Sequence, residues 1–318
     1  MHASSRLPNG GPSGRGATLR EAVAEGIVTI PGAPFPLVAK LAERQGFEAV
    51  YLSGAAMSAG LLAVPDIGLF TLEQLAEQTR LLAAACKIPI VVDADTAFGG
   101  PAETERTVGV LESAGAAAIQ IEDQQSSKRC GHLPGKRLVD RGEMIEKISA
   151  AASGRADRST VIVARSDARG VSGLDDCISR LQAYRDAGAD WLFPEGLTSR
   201  EEFRTVAAAF DSPLLANMTE FGVSPLIGRD ELASLGYAAV LYPVTLLRVA
   251  MKAIEAALAV IEIDGTQESL LDLMQTREEL YDLLGYDPAN PGGSILPTRD
   301  DGPVAEGSWR PNERSRLA

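Results

Sequence analysis

Two short stretches hold residues that could do chemistry. In 128-KRCGHLPGK-136, Cys130 and His132 stand among Lys128, Arg129 and Lys136. Two glycines and a proline mark the stretch as loop, and cationic neighbours favour a thiolate because they stabilise the charged form. In 91-VVDADTAFGG-100, Asp93 and Asp95 are two apart and share a face of extended chain. At a strand end both can turn towards one cation, and hard carboxylate oxygens with open water positions suit Mg²⁺ or Mn²⁺. Glu122 and Asp66 are candidates to join them, directly or through water. On these residues alone, the first stretch reads equally as a solvated basic loop, and the acidic pair as a strand cap.

Four cations, Lys128, Arg165, Arg248 and Arg277, are either surface ion-pair partners or the binding groups for a substrate with several carboxylates, whose geometry arginine matches bidentately. The net charge of −13 argues against nucleic acid. It also means that an anionic substrate needs local cations or a metal. The three cysteines, Cys86, Cys130 and Cys177, form no CxxC pair, so neither a disulfide framework nor a zinc site is expected, and a reducing cytoplasm is the simplest location. No apolar run approaches the ~20 residues that span a bilayer. Residues 1–17 read as a disordered leader without a signal-peptide core, and 288–318 as a flexible tail rich in Pro, Gly and charge.

Something must hold these residues together. Eight apolar runs, beginning at Ile27, Ala49, Ile88, Ala117, Thr160, Asp190, Pro213 and Ala238, are each followed by a helical pattern. Their continuous apolar character suits a parallel sheet buried on both faces. Thr71 with Gln74 is a capping box, and Cys177 shares a helical face with Leu174 and Leu181. The first run leads into 31-PGAPFP-36 without a GxGxxG loop, which favours a TIM-type (β/α)8 barrel over a doubly wound sheet. The run ends carry Ser53, Asp93 and Asp95, Glu122, Arg165, Glu195, and Asn217 with Thr219, and a barrel gathers its chemistry at the C-terminal ends of its strands. Residues 18–265 are the expected barrel, with 244–265 its last helix. Residues 266–287 hold a surplus amphipathic helix whose apolar face a partner subunit would cover.

The set KRCGH, VVDADTAFG, IQIEDQ, VARSDA, LFPE, LANMTEFG and MQTREELY resembles the isocitrate lyase and phosphoenolpyruvate mutase superfamily, most closely its methylisocitrate lyase branch, over roughly residues 18–286. The resemblance implies a barrel with a C-terminal helix swapped between subunits, a homotetramer, Mg²⁺ dependence, and cleavage of (2S,3R)-2-methylisocitrate to pyruvate and succinate in propionate catabolism. It implies that Cys130 exchanges a proton with carbon, aided by His132 and Tyr51. It places the tricarboxylate substrate against Ser53, Gly54, Ala55, Gly131, Arg165, Glu195, Asn217, Met218, Thr219, Arg248 and Arg277. The metal falls to Asp93 and Asp95, with Asp66 and Glu122 acting through water. Many relatives have glycine where Ala55 stands. Phe193 is the residue type that this branch places beside the substrate methyl, and true isocitrate lyases are longer chains. Isocitrate or 2,3-dimethylmalate are the alternative substrates, and a non-catalytic carboxylate-binding barrel is the alternative of a different class.

Overall fold

The computed structural model describes residues 14–126 and 128–289. Most of the expected leader and nearly all of the expected tail therefore lie outside the described residues. Helix α1 (Arg15–Glu25) already begins within the span read as leader.

Eight parallel strands follow: β1 (Val28–Pro31), β2 (Val50–Leu52), β3 (Ile90–Asp93), β4 (Ala118–Glu122), β5 (Val161–Ser166), β6 (Trp191–Pro194), β7 (Leu215–Asn217) and β8 (Ala239–Tyr242). The ladder runs from β2 to β6 in chain order, and β8 lies between β7 and β1. Two bridges close the ring, Gly32 with Tyr51 and Leu192 with Leu214. The sheet is thus a closed barrel with no free edge. Between the strands run α2 (Pro36–Arg44), α3 (Gly54–Leu62), α4 (Leu72–Ala85), α5 (Pro101–Ser113), α6 (Arg141–Ser153), α7 (Leu174–Asp186), α8 (Arg200–Ala209) and α9 (Arg229–Leu235). The capping box expected at Thr71 is present.

Strand periodicity sorts each run onto two sides. One set of alternate residues, including Val28, Ile30, Tyr51, Val91, Ala118, Val163, Trp191 and Leu241, fills the barrel interior together with Leu19 and Ala22 of α1. The other set, including Val50, Leu52, Val92, Ile119, Ile162 and Val240, packs outwards with the helices. Arg15 ties α1 in place by donating to the carbonyls of Ala83, Cys86 and Ile88 at 2.7–3.1 Å. Two of these carbonyls end α4, where the helix itself supplies no donor.

The end of the barrel departs from expectation. Helix α10 (Thr245–Asp264) buries none of its residues, so it does not serve as a last helix lying on its own strands. Its apolar side chains Val249, Ile254, Leu258 and Ile261 stay exposed. A cavity of about 540 Å³ adjoins Thr29 and Pro31 of β1 and Tyr242 of β8, on the barrel's outer side. The surplus segment is also not one helix. A 3-10 turn spans Glu268–Leu273, and α11 (Arg277–Leu284) starts afresh behind its own capping box of Thr276 and Glu279. That box satisfies the first-turn amides and so breaks the helix there. The chain divides into two compact units between Met274 and Gln275. In the second, Tyr281 meets Tyr286 edge-on at 4.9 Å and Leu283 is buried.

Candidate active site

Continuing the inward side of each strand by one more step replaces apolar residues with polar ones. On β3, Val91 leads to Asp93. On β4, Ala118 leads to Gln120 and Glu122. On β5, Val163 leads to Arg165. On β6, Phe193 leads to Glu195, and on β7 Leu215 leads to Asn217. The strand registers hold these steps level, pairing Asp93 with Gln120, Glu122 with Arg165, and Arg165 with Phe193. One cavity of about 90 Å³ results at the C-terminal mouth. Of the expected residues, Tyr51, Ser53, Ala55, Asp66 and Asp93 line one side of it. Cys130, Gly131, His132 and Arg165 line another, and Glu195, Asn217, Thr219 and Arg248 complete it.

Carboxylate oxygens of Asp93, Asp95 and Glu122 lie within 4.8 Å of one another, all three buried. The backbone bends hard to achieve this. Asp95, Ala97 and Phe98 all take positive φ, near 49°, 60° and 59°, a costly region for residues with a Cβ. Lys147 pins this turn from behind, donating to Thr96 O at 2.5 Å, while Glu122 N donates to Asp95 O at 2.9 Å. Gly54 N donates to Asp93 Oδ2 at 3.1 Å, and a Cβ on Gly54 would sit 3.1 Å from Asp95 Oδ1. Ser53 caps α3, accepting from Ala56 N.

These acids are short of positive charge. Burial pushes Asp95 up to about 7 despite the Lys128 ammonium beside it. Burial likewise pushes Glu122 well up, with Arg165 and Lys128 opposing. Both oxygens of Glu122 and Oδ1 of Asp66 and of Asp95 are buried without a hydrogen bond. Lys128 Nζ lies 2.6 Å from those two Oδ1 atoms, so one ammonium is shared between two carboxylates and the cluster keeps a net negative charge. A buried, all-oxygen, under-neutralised cluster is what a hard divalent cation requires, so the donor set fits one.

Across the cavity, Arg165 reaches three acids. Its Nε and Nη2 donate to the two oxygens of Asp167 at 3.0 and 3.2 Å, Nη1 is 3.4 Å from Glu195 Oε2, and Nε is 3.5 Å from Glu122 Oε2. Its guanidinium stands 5.3 Å over the Phe193 ring. Glu195 also faces His132 Nε2 at 3.0 Å and accepts from Asn217 Nδ2 at 3.0 Å. Burial alone would raise Glu195, but Arg165, His132 and Asn217 outweigh it and hold the carboxyl well below the usual range. Val223 N donates to His132 Nδ1 at 3.1 Å. That nitrogen is therefore the acceptor, and Nε2 carries the proton that points at Glu195.

The cations of the loop do not act as expected on Cys130. Lys128 is spent on Asp66 and Asp95, Lys136 on Asp167, and Arg129 is exposed. Burial dominates and pushes the Cys130 thiol up. The His132 amide and Arg165 pull it down, and Asp66 and Glu195 add to the rise. The group is a thiol at neutral pH, not the thiolate that cationic neighbours alone suggest. Cys86 and Cys177 are buried helix thiols, as their spacing implied.

One expected contact falls elsewhere. Met218 is one residue out of phase with Asn217 and Thr219, so it points into the outer layer, where its sulfur accepts from Ile227 N. It is not a cavity residue. Arg277 opens α11 in the second unit.

Phosphoenolpyruvate phosphomutase is the family whose model matches residues 23–262. A 2-methylisocitrate lyase of Aeropyrum pernix is 53% identical over 272 residues, 85% of this chain and 87% of that one. A 2,3-dimethylmalate lyase, described as a PEP mutase/isocitrate lyase superfamily member, matches in structure with a TM-score of 0.81 at 35% identity. That match covers 85% of this chain and 91% of the other. The chain belongs to the PEP mutase/isocitrate lyase superfamily. Another solved protein similar to it, a phosphonopyruvate hydrolase in complex with oxalate and Mg²⁺, aligns with a TM-score of 0.78 at 31% identity, over 85% of this chain and 95% of that one.

For a member of this superfamily, one residue and one pairing at the site escaped the sequence reading. Gln120 is fully buried, accepts from Tyr51 Oη at 2.6 Å and donates to Asp93 Oδ1 at 3.0 Å. Its signal was present, since it is the one amide inside the apolar run of β4, in phase with Glu122. Lys136 and Asp167 pair at 3.0 Å, both buried, and nothing in their spacing announces that contact.

Proposed function

We propose that this protein is a Mg²⁺-dependent carbon–carbon lyase that splits (2S,3R)-2-methylisocitrate into pyruvate and succinate, as in the methylcitrate route of propionate catabolism. The observation that carries the reading is the meeting of Cys130, the Arg165 cation and a buried acid cluster on one cavity. The identity to curated 2-methylisocitrate lyases supports the choice of substrate.

Asp93 and Asp95 would hold the cation, with Glu122 and Asp66 directly or through water, and Mn²⁺ could replace Mg²⁺. Bound there, it would supply positive charge to the oxygen on C2 as the carbonyl of pyruvate forms. The C2–C3 bond breaks, and its electron pair stays on C3 as the aci-carboxylate of succinate. The Arg165 guanidinium stabilises that growing negative charge, and His132 contributes where its Nε2–H turns from Glu195 to the substrate. Cys130 gives its S–H proton to C3, completing succinate. The proton on the C2 hydroxyl passes to water as the carbonyl forms, and the Cys130 thiolate takes a proton back from water before the next turnover. Tyr51, whose own proton is committed to Gln120, offers an oxygen lone pair to that hydroxyl. Ser53 and Ala55 at the start of α3 present backbone amides to a carboxylate, and Gly54, whose amide holds Asp93, lets the substrate approach closely between them. Gly131, Glu195, Asn217, Thr219 and Arg248 orient the rest, and Arg277 is assigned to the same task. Phe193 borders the place for the C2 methyl group.

We infer that the working form is a homotetramer in which α10 and the 266–287 region are exchanged between subunits. Support comes from the uncovered apolar side chains of α10 and the 540 Å³ cavity beside β1 and β8, where a barrel's eighth helix would lie. Among the described residues no helix is long and apolar enough to cross a membrane.

The test is side-by-side turnover of methylisocitrate, isocitrate and 2,3-dimethylmalate with and without Mg²⁺. The reading requires the highest kcat/KM on methylisocitrate. A preference for dimethylmalate would move the protein to the activity named for its structural relative. No turnover of any would leave a binding barrel.

A further inference from the structure

We propose that Gln124 and Lys136 are positioning residues that clamp the main chain on either side of Cys130 and set where its thiol points. The loop leaves β4 and returns as a narrow stem. Gln124 pairs with Leu138, and Gln125 N donates to Arg137 O at 2.9 Å. Above the stem, the Gln124 side chain grips one residue twice. Its Oε1 accepts from Arg129 N at 2.9 Å, and its Nε2 donates to Arg129 O at 2.8 Å. Gln124 is 1% exposed, so each bond is made out of water, where an unmade one is costly.

The second clamp acts one residue past the cysteine. Lys136 Nζ donates to Gly131 O and lies 3.0 Å from Asp167 Oδ1. Its side chain is 2% exposed, which is rare for lysine unless it is paired. Asp167 is the same carboxylate that holds Arg165, so Lys136 fixes the loop to the guanidinium expected to face the substrate. Gly131 completes the fit, because a Cβ there would sit 2.3 Å from Arg165 Nη2 and 2.6 Å from Glu195 Cγ. The two clamps bracket Cys130 at residues 129 and 131, and the side chains of Gln124 and Lys136 are not among the groups assigned to substrate or metal. Only the kinetic arm of the test rests on the reading of Cys130 as the acid.

The test uses Gln124→Leu, Gln124→Glu and Lys136→Met in the full chain. Glutamate at position 124 can still accept from Arg129 N but cannot donate to Arg129 O, so it removes half a clamp with little change of shape. Three thiols are alkylated with iodoacetamide and read by mass, and trypsin cleavage after the exposed Arg129 is timed. Local opening should speed modification of Cys130 and cleavage at Arg129 by roughly ten- to thirtyfold in Gln124→Leu and Lys136→Met, and less in Gln124→Glu. Cys86 and Cys177 should stay protected, which separates loop release from general unfolding. kcat should fall with KM within about threefold, the pattern of a lost transition-state alignment. Cys130 modification and Arg129 cleavage within twofold of wild type in all three variants would overturn the clamp, as would equal exposure of all three cysteines in Gln124→Glu. If the loop opens in the variants while Cys130→Ser keeps full turnover, the clamp stands and the assignment of Cys130 as acid falls.

Discussion

Tyr51 donates its hydroxyl to Gln120 at 2.6 Å, and the other end of that amide donates to Asp93 at 3.0 Å. One buried side chain therefore orients both the phenol on β2 and a carboxylate of the acid cluster. Gln120→Met keeps the bulk and removes both bonds. Mn²⁺ affinity, read by calorimetry, should fall about 10–100-fold, the usual cost of removing a partner that orients a metal ligand. Unchanged affinity would show that Asp93 needs no such support.

The acid cluster should take a cation before any substrate arrives. EDTA-treated protein should melt at a lower temperature than protein in excess Mg²⁺, since a ligand that binds only the folded state stabilises it. Mg²⁺ or Mn²⁺ should restore cleavage, with Zn²⁺ a poor substitute at an oxygen-only site. Full turnover and an unmoved Tm in chelated protein would refute the metal assignment.

The raised pKa of Cys130 has a definite sign. Cleavage uses the protonated thiol, so it should persist through neutral pH and decline only as pH rises past that raised value. Alkylation uses the thiolate and should rise over the same window, above that of free cysteine. Cys130→Ser should lower turnover by about 10²–10⁴-fold, the range for a positioned acid, while substrate still binds. With pyruvate present in D₂O, wild type should exchange protons at the succinate methylene and the serine variant should not. Equal exchange in both would place the proton on another residue.

Gly131→Ala inserts a methyl where the nearest atoms are 2.3–2.9 Å away, on Arg165, Glu195 and Asp167. The loop must lift or Arg165 must swing. Activity should drop at least about 100-fold, on the scale of a misplacement by an ångström, with the melting temperature within a few degrees of wild type. A fully active alanine variant would mean that the loop sits higher in the working enzyme.

Assembly can be probed on α10. Ile254→Glu with Leu258→Lys places charges on side chains now exposed, so an isolated subunit should tolerate them. Light scattering should show the oligomer dissociating. A tetramer that survives both substitutions would locate its interface elsewhere.

Much of this was legible in the chain because barrels write themselves locally. Eight apolar runs followed by helical patterns need only neighbouring residues to be read, and the period of two places Asp93, Glu122, Arg165, Glu195 and Asn217 on one inner face. The same rule explains the misreading of Met218, which one step of phase sends outwards.

What the sequence determined by itself was thus the repeat, the direction of each strand and the kinds of group at the mouth. Tertiary structure alone decided the pairing of charges. Nothing near Lys128 or Lys136 in the chain marks their partners, yet Lys128 meets Asp66 and Asp95, and Lys136 meets Asp167. With those lysines engaged elsewhere, burial decides the state of Cys130 and holds it as a thiol. Tertiary structure also decided that α10 leaves its own barrel uncovered, since amphipathic spacing tells that a face must be buried but not against which surface. The physical reason is the same in both cases: electrostatic and apolar partners are chosen by distance in space, and a sequence records only distance along the chain.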